Sequence, residues 1–338
     1  MLAGRLSRLK ARKVKQVRRA KVVLKTAICE LFNIEHPIIQ GGMAHLGTVE
    51  LVSAVSNAGG LGIIGSGNAE PDWVREQIRL TRQRTNKPFG VNIIMISPFI
   101  RDVVEVVLEE KVAVVTFGAG NPGIYIPRFR EAGIKVVPVV SSVALARRLE
   151  RAGADAIVAE GMESGGHIGQ TTTIVLVPQV VDNVRIPVVA AGGIGDGRGL
   201  AAALALGAQG VQVGTRFVCS DECIAHPRFK EKILKANDLS TVVTRGTTGY
   251  PLRCLENKFA RQFLALEKAG ASKEELDLFG RGRTCLGLIE GDIDEGSLMA
   301  GQIAGLIKEI KPVRVIIEEM VTEAEAMIAN FKNFHKED

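Results

Sequence analysis

A histidine set among glycines is the first place in this chain where residue types and spacing could do chemistry. The segment Glu160-Gly161-Met162-Glu163-Ser164-Gly165-Gly166-His167-Ile168-Gly169 carries four glycines around one imidazole. Glycines without a β-carbon let backbone come close to a flat ring, and an imidazole with a pKa of about 6.5 suits proton donation at neutral pH. Two further turns could grip an anion. In Ala190-Ala191-Gly192-Gly193-Ile194 and Gln212-Val213-Gly214-Thr215-Arg216, glycines free the backbone N–H groups to converge on phosphate oxygens. A following helix would add the positive end of its dipole, and the second turn adds a hydroxyl. Either turn alone reads as an ordinary tight turn; the two together, at successive strand ends, read as a phosphate site.

Those residues need strands to hold them. Short apolar runs rich in β-branched residues recur at 37–40, 61–64, 90–95, 113–117, 135–140, 156–159, 187–191 and 210–217. Stretches with helical spacing lie between them at 48–58, 71–85, 100–110, 122–132, 143–152, 175–183 and 197–206. Near-continuous apolar strands alternating with helices imply a parallel sheet buried on both faces, because parallel strands need crossovers. Eight such units predict an α/β protein of the (β/α)8 TIM-barrel class, with the active site at the C-terminal strand ends and phosphate held after strands 7 and 8. His167 then follows strand 6, a position that favours a catalytic role over a structural one. A competing Rossmann reading uses Gly197, Gly199 and Ala202 as G-x-G-x-x-A with Asp221 as the ribose acid. It is the weaker reading, since these glycines fall past the first turn after strand 7 and Asp221 lies beyond strand 8.

After residue 217 the rhythm stops. Residues 218–310 read as polar helices and loops, at 226–235, 255–269 and 291–307, forming a smaller, mostly helical cap over the barrel mouth. Residues 311–338 hold a final amphipathic helix at 313–331. The expected organisation is therefore a basic extension over 1–25, a barrel over 26–217, a cap over 218–310 and the terminal helix.

Bulk composition narrows the function classes. Aromatic residues make up only 4% of the chain against 46% hydrophobic, which suits layers of Val, Ile, Leu and Ala rather than a base-stacking surface. The net charge of +6 is concentrated at one end: residues 1–25 hold ten Lys or Arg and no acid, leaving 33 basic against 37 acidic residues in the body. No nucleic-acid or membrane partner is expected; the arm reads as a solvated extension or a misplaced start. Five cysteines without a C-x-x-C pair point to a reducing compartment, and no apolar run is long enough to span a bilayer, so a cytoplasmic location is expected.

The chain resembles the FMN-dependent family that contains the flavin-type enoyl-acyl-carrier-protein reductases and the nitronate monooxygenases. The resemblance rests on Gln40-Gly41-Gly42-Met43, Gly90-Val91-Asn92, the Glu160–Gly169 segment, 190–194 and 212–217, in that order. Ala225-His226-Pro227, Lys230-Glu231-Lys232, and Gly291-Asp292 through Gly296-Ser297-Leu298-Met299-Ala300-Gly301-Gln302 are similar to the reductases in particular. It implies FMN across the barrel mouth, with phosphate on Gly192, Gly193, Gly214 and Thr215, and Gly42, Met43, Asn92 and Gln212 near the ribityl chain and ring. Gly165, Gly166 and Ala191 would complete the wall, Ser297, Met299 and Gln302 would close over the flavin, and His167 would be the catalytic histidine. NADH would be the co-substrate, a monovalent cation a possible activator, acyl carrier protein the partner and a homodimer the assembly. Arg228, Lys230, Lys232 and Lys235 form a basic patch suited to that acidic partner. The implied activity is reduction of a trans-2-enoyl thioester in bacterial fatty-acid elongation; the alternative is oxidation of alkyl nitronates by O2. One departure stands out: relatives often carry Trp where this chain has His45, which is expected to face the pocket.

Overall fold

The computed structural model describes residues 24–331; the basic extension lies outside these residues except for Leu24 and Lys25. Eleven strands run in chain order: β1 (Ile38–Gln40), β2 (Gly62–Gly65), β3 (Phe89–Ile94), β4 (Val114–Gly118), β5 (Lys135–Val140), β6 (Ile157–Glu160), β7 (Gly166–His167), β8 (Val188–Ala191), β9 (Gly210–Val213), β10 (Thr241–Thr244) and β11 (Leu252–Leu255). Eight of them form one parallel sheet in the order β1-β9-β8-β6-β5-β4-β3-β2, and a bridge between Ile39 and Leu61 brings its two edges together. Gln40 reinforces that seam. Its side chain accepts from Ile63 N–H at 3.1 Å and donates to Ile63 C=O at 2.9 Å, as a neighbouring strand's backbone would. The chain is thus a (β/α)8 TIM barrel.

Residues alternate along each strand between the barrel interior and the helical ring. Interior positions low in the barrel are apolar: Ile39, Ile63, Val114, Val137, Val158 and Val189 pack in one cluster with Ile28, Cys29 and Phe32 of the helix Ala27–Phe32, which plugs the N-terminal end. Two residues further along the same face the pattern turns polar. Asn92 on β3, Thr116 on β4, Glu160 on β6 and Gln212 on β9 stand on the inward register at or near the C-terminal ends. This change of polarity marks the floor of the site.

The final helix, Val313–Phe331, packs against the helices Gly197–Ala205 and Val49–Asn57, which follow β8 and β1. That is the place of the eighth helix of the ring. The cap is therefore an insertion between β9 and its own helix, and the barrel draws on chain from both sides of it. Gly197 sits under this packing: a β-carbon there would stand 2.5 Å from Met320 C=O. Gly199 N–H caps on Asp196, and Asp221 N–H bonds to Lys311 C=O. The glycines that suggested a dinucleotide fingerprint serve helix packing and capping, and the closed barrel removes the Rossmann reading.

Two sequence expectations are corrected. The last barrel strand stops at Val213, not at residue 217; after Gly214 the chain makes the helical turn Thr215–Val218. Its buried Phe217 and Val218 supply an apolar run whose short length cannot separate strand from helix. The cap is mostly helical, as expected, but it also holds strands where only helices and loops were expected. Strands β10 and β11 form a hairpin that pairs with β7, with Leu252 opposite His167. Helices run Pro227–Leu234, Lys258–Lys268, Lys273–Gly280 and Arg283–Leu288, while 291–301 is irregular. No described helix is long and apolar enough to cross a membrane.

Candidate active site at the mouth of the barrel

A cavity of about 480 Å³ opens at the C-terminal strand ends. Gly42, Met43, Asn92, Gly165, Gly166, His167, Ala191, Gly192, Gly193, Gln212, Gly214, Thr215 and Met299 all line it. A second cavity of about 630 Å³ lies at the N-terminal end, between strand-entry turns. It has no converging glycine turns, and barrels of this kind carry their catalytic groups at the opposite end, so the mouth is the site.

One end of the mouth cavity is made of backbone. Gly192 and Gly193 have φ of 92° and 71°, a left-handed pair open to glycine at little cost. A β-carbon on Gly192 would stand 2.7 Å from Gly161 C=O. The turn is tied down by Thr173, whose hydroxyl donates to Gly192 C=O at 2.9 Å, while the Glu163 carboxylate accepts from Thr173 N–H. The N–H groups of Gly192, Gly193, Gly214 and Thr215 find no protein acceptor among the described residues. Four unpaired amides converging on one cavity are an anion site by the ordinary rule that such donors must be satisfied. Thr215 contributes differently than its sequence suggested: its Oγ1 accepts from Gly301 N–H at 2.9 Å and so fastens the cap to the barrel.

The other end is made of side chains. His167 does not sit in a free loop. It lies on β7, pinned by β11, and Arg253 on β11 donates from Nε to Met162 C=O at 3.0 Å and from a terminal nitrogen to Thr241 Oγ1. The loop and the cap touch through glycine: a β-carbon on Gly165 would stand 2.7 Å from Ala300 C, and one on Gly301 2.6 Å from Glu163 C=O. Burial, with the nearby Arg245 guanidinium, pulls the His167 pKa below its ordinary value. At neutral pH the ring is uncharged. It can donate a hydrogen bond but is not the store of acid that an unperturbed imidazole would be. Asn92 is held by Thr116, donating from Nδ2 at 2.9 Å, and Gly42 packs flat on its side chain, where a β-carbon would stand 2.3 Å from Asn92 Cβ.

Several expectations land elsewhere. Ser297 is buried away from the cavity with its N–H on Arg283 C=O, and Gln302 is exposed outside the lining, touching the site only through its backbone bond to Glu163 C=O. His45 adopts φ of 66° and turns to solvent, between Ala44 and Leu46, which do line the cavity; it does not face the pocket. Lys230 is buried, its ammonium on Ser220 C=O, so the basic patch reduces to Arg228 and Lys235 with half-buried Lys232. Sequence reasoning missed the hairpin tip, where Gly249, Tyr250 and Pro251 line the cavity, and it gave Glu160 and Ser164 no role although both line it. The tip was signalled by Thr-Val-Val-Thr and Leu-Arg-Cys-Leu flanking a Gly- and Pro-containing turn.

Barrel, paired glycine turns and a histidine at the mouth define a cofactor-gripping oxidoreductase. A family model for nitronate monooxygenase matches residues 25–104 and 97–323, and the chain belongs to that family, whose members are FMN-dependent flavoproteins. A solved structure of FabK from Thermotoga maritima is 54% identical, covers 92% of this chain and 99% of its own, and superposes with a TM-score of 0.90. A (3aS,4S,5R,7aS)-5-hydroxy-7a-methyl-1-oxo-octahydro-1H-indene-4-carboxyl-CoA dehydrogenase from Mycobacterium tuberculosis is 36% identical over 89% of this chain and 96% of its own. A probable nitronate monooxygenase from Staphylococcus saprophyticus is 38% identical over 70% of this chain and 80% of its own. The chain is a flavin oxidoreductase.

Proposed function

We propose that this protein reduces trans-2-enoyl thioesters on acyl carrier protein, with NADH as reductant and FMN as the bound cofactor. The observation that carries the reading is the meeting, in one cavity, of four unpaired amides at one end and a cap-clamped neutral histidine at the other. The likeness to the Thermotoga enzyme, over nearly the whole of both chains, supports it, as does a relative whose name specifies a coenzyme A thioester.

The residues present fit FMN. Gly192, Gly193, Gly214 and Thr215 would hold the phosphate on unpaired amides, and Asn92, Gln212 and Met43 would border the rest of the molecule. When bound, the cofactor supplies hydride transfer between nicotinamide and alkene, chemistry no side chain here can perform. The chain's part is placement and charge control. His167 donates its N–H to the thioester oxygen as negative charge gathers there, a role that a neutral ring held by β11 fills without reorganising. Met299 and the hairpin tip at Tyr250 keep bulk water from the reacting carbons. The acidic carrier would meet Arg228 and Lys235 on the helix Pro227–Leu234 and its edge.

A second reading, oxidation of alkyl nitronates by O2, is favoured by the family model's description and the staphylococcal relative. One pair of assays divides them. The reductase reading expects anaerobic NADH oxidation that depends on crotonyl thioester. Oxygen uptake that depends on nitronate, with no thioester-dependent NADH oxidation, would replace it with the monooxygenase.

A further inference from the structure

Glu160 is a carboxyl of the cavity wall to which the reading above gives no role. It ends β6, opposite Ala191 of β8, on the inward register two residues above Val158. It is half-buried and lines the cavity. No Lys, Arg or His among the described residues forms an ion pair with it. The Ser164 hydroxyl stands beside it, near enough to pull on its charge, yet Ser164 Oγ is buried and completes no hydrogen bond of ordinary geometry. Two adjacent polar groups thus line the cavity, one of them buried without a completed hydrogen bond, and both are placed to bond whatever fills it.

We propose that Glu160 and Ser164 form a pair that hydrogen-bonds a carbonyl or imine edge of the cavity's occupant. The inference rests on the FMN and thioester reading above, since both molecules carry such an edge. Burial pushes the Glu160 carboxyl up to about 8, so it holds its proton at neutral pH and can donate it to a hydrogen bond. A carboxylate in the same place could only accept. An occupant that covers Glu160 removes its remaining water and favours the protonated form further, so binding takes up or retains a proton and weakens once the free site ionises.

The other titratable groups near it are accounted for. Glu163 is occupied by Thr173, His167 titrates below its ordinary value, Arg253 is committed to Met162 and Thr241, and Tyr250 lies at the hairpin tip. Strands β5 and β8, which flank β6, end at Val140 and Ala191; the residues that follow, Ser141 and Gly192, bring no charge to the cavity.

The test measures FMN affinity for the apoprotein by fluorescence titration from pH 6 to pH 10, in the wild type and in Glu160→Gln, which keeps a donor that cannot ionise. The wild type should lose affinity by about tenfold between pH 7 and pH 9, as each pH unit above the free pKa costs a factor of ten, and Glu160→Gln should be flat over that range. A second arm measures crotonyl-thioester binding to the FMN-loaded protein. A slope there that Glu160→Gln removes, with FMN affinity flat, assigns the pair to substrate instead. Parallel profiles for both proteins in both arms overturn the proposal. Absence of FMN binding at every pH would sink the reading beneath it and this proposal with it, which no slope can mimic. Infrared difference spectra of the apoprotein at pH 6 give a check independent of binding. The stretch of a protonated carboxylic acid should be present in the wild type and in Ser164→Ala and missing in Glu160→Gln; its absence from the wild type also overturns the proposal.

Discussion

The two ends of the cavity are built from different materials. At Gly192, Gly193, Gly214 and Thr215 the contacts offered are backbone amides, held by chain geometry and unable to titrate. At Glu160, Ser164 and His167 they are side chains, two of them with pKa values moved by burial in opposite directions, each toward its uncharged form. One end can be damaged only by reshaping the chain, whereas the other can be changed by one atom or by pH. Such a division separates a grip that pH cannot loosen from one that it can.

The largest effect should come from reshaping the amide end. Gly192→Ala forces an L-residue into φ of 92° with its β-carbon against Gly161 C=O. The strain alone is worth roughly 1–3 kcal/mol, and with the clash FMN affinity should fall by at least about 100-fold. Cofactor content of the purified protein and FMN titration check this; full FMN loading would show that the turn does not hold the phosphate.

At the side-chain end, His167→Ala should leave FMN content near that of the wild type and lower turnover with crotonyl thioester by roughly 100-fold, in the range for loss of a positioned proton donor. Steady-state kinetics on the FMN-loaded protein measure it. Equal losses of cofactor and turnover would mean that the two ends are not independent.

The smallest effect is on stability, and its sign separates the two titrating groups. Folded Glu160 keeps its proton to about pH 8, against an ordinary value of 4.5, so the folded state binds the extra proton and stability falls as pH rises through that interval. His167 acts the other way: its folded value lies below 6.5, so stability is lost as pH falls below 6.5. Apoprotein melts should therefore show Glu160→Gln gaining a few degrees over the wild type at pH 8 and little at pH 4. His167→Gln should gain only on the acid side. A uniform shift across pH would remove burial of charge as the cause.

The barrel was far more legible in the sequence than the cap. Buried parallel strands such as 135–140 must be apolar on both faces, and their helices end in small-residue turns, so the run and its boundaries are written locally; β5 begins and ends where its pattern does. The glycine turns were legible for the same reason, since close approach leaves glycine few substitutes. The cap hairpin was less so, because Val242 and Val243 are only half-buried, and its docking is not local at all: β11 pairs with β7, about 85 residues earlier, and that pairing leaves no trace in either segment. Ser297 and Gln302 show a related limit. Neighbours in a motif share a stretch of chain, but in irregular structure they need not share a direction, so Met299 faces the cavity while Ser297 and Gln302 do not. Glu160 was visible as a residue within the glycine segment; its burial, which gives it chemistry, exists only once β5 and β8 flank it.

The eighth helix, placed after the cap in the chain, gives the cap a mechanical character. Both ends of the insertion are stitched where they leave the barrel: Ser220 bridges Lys311, Asp221 N–H bonds to Lys311 C=O and Lys311 N–H to Cys219 C=O. A segment sewn at its neck, with its return helix locked into the barrel's outer ring, has no single hinge about which to swing. Access to the cavity has to come from a small part of the insertion yielding while the rest stands still.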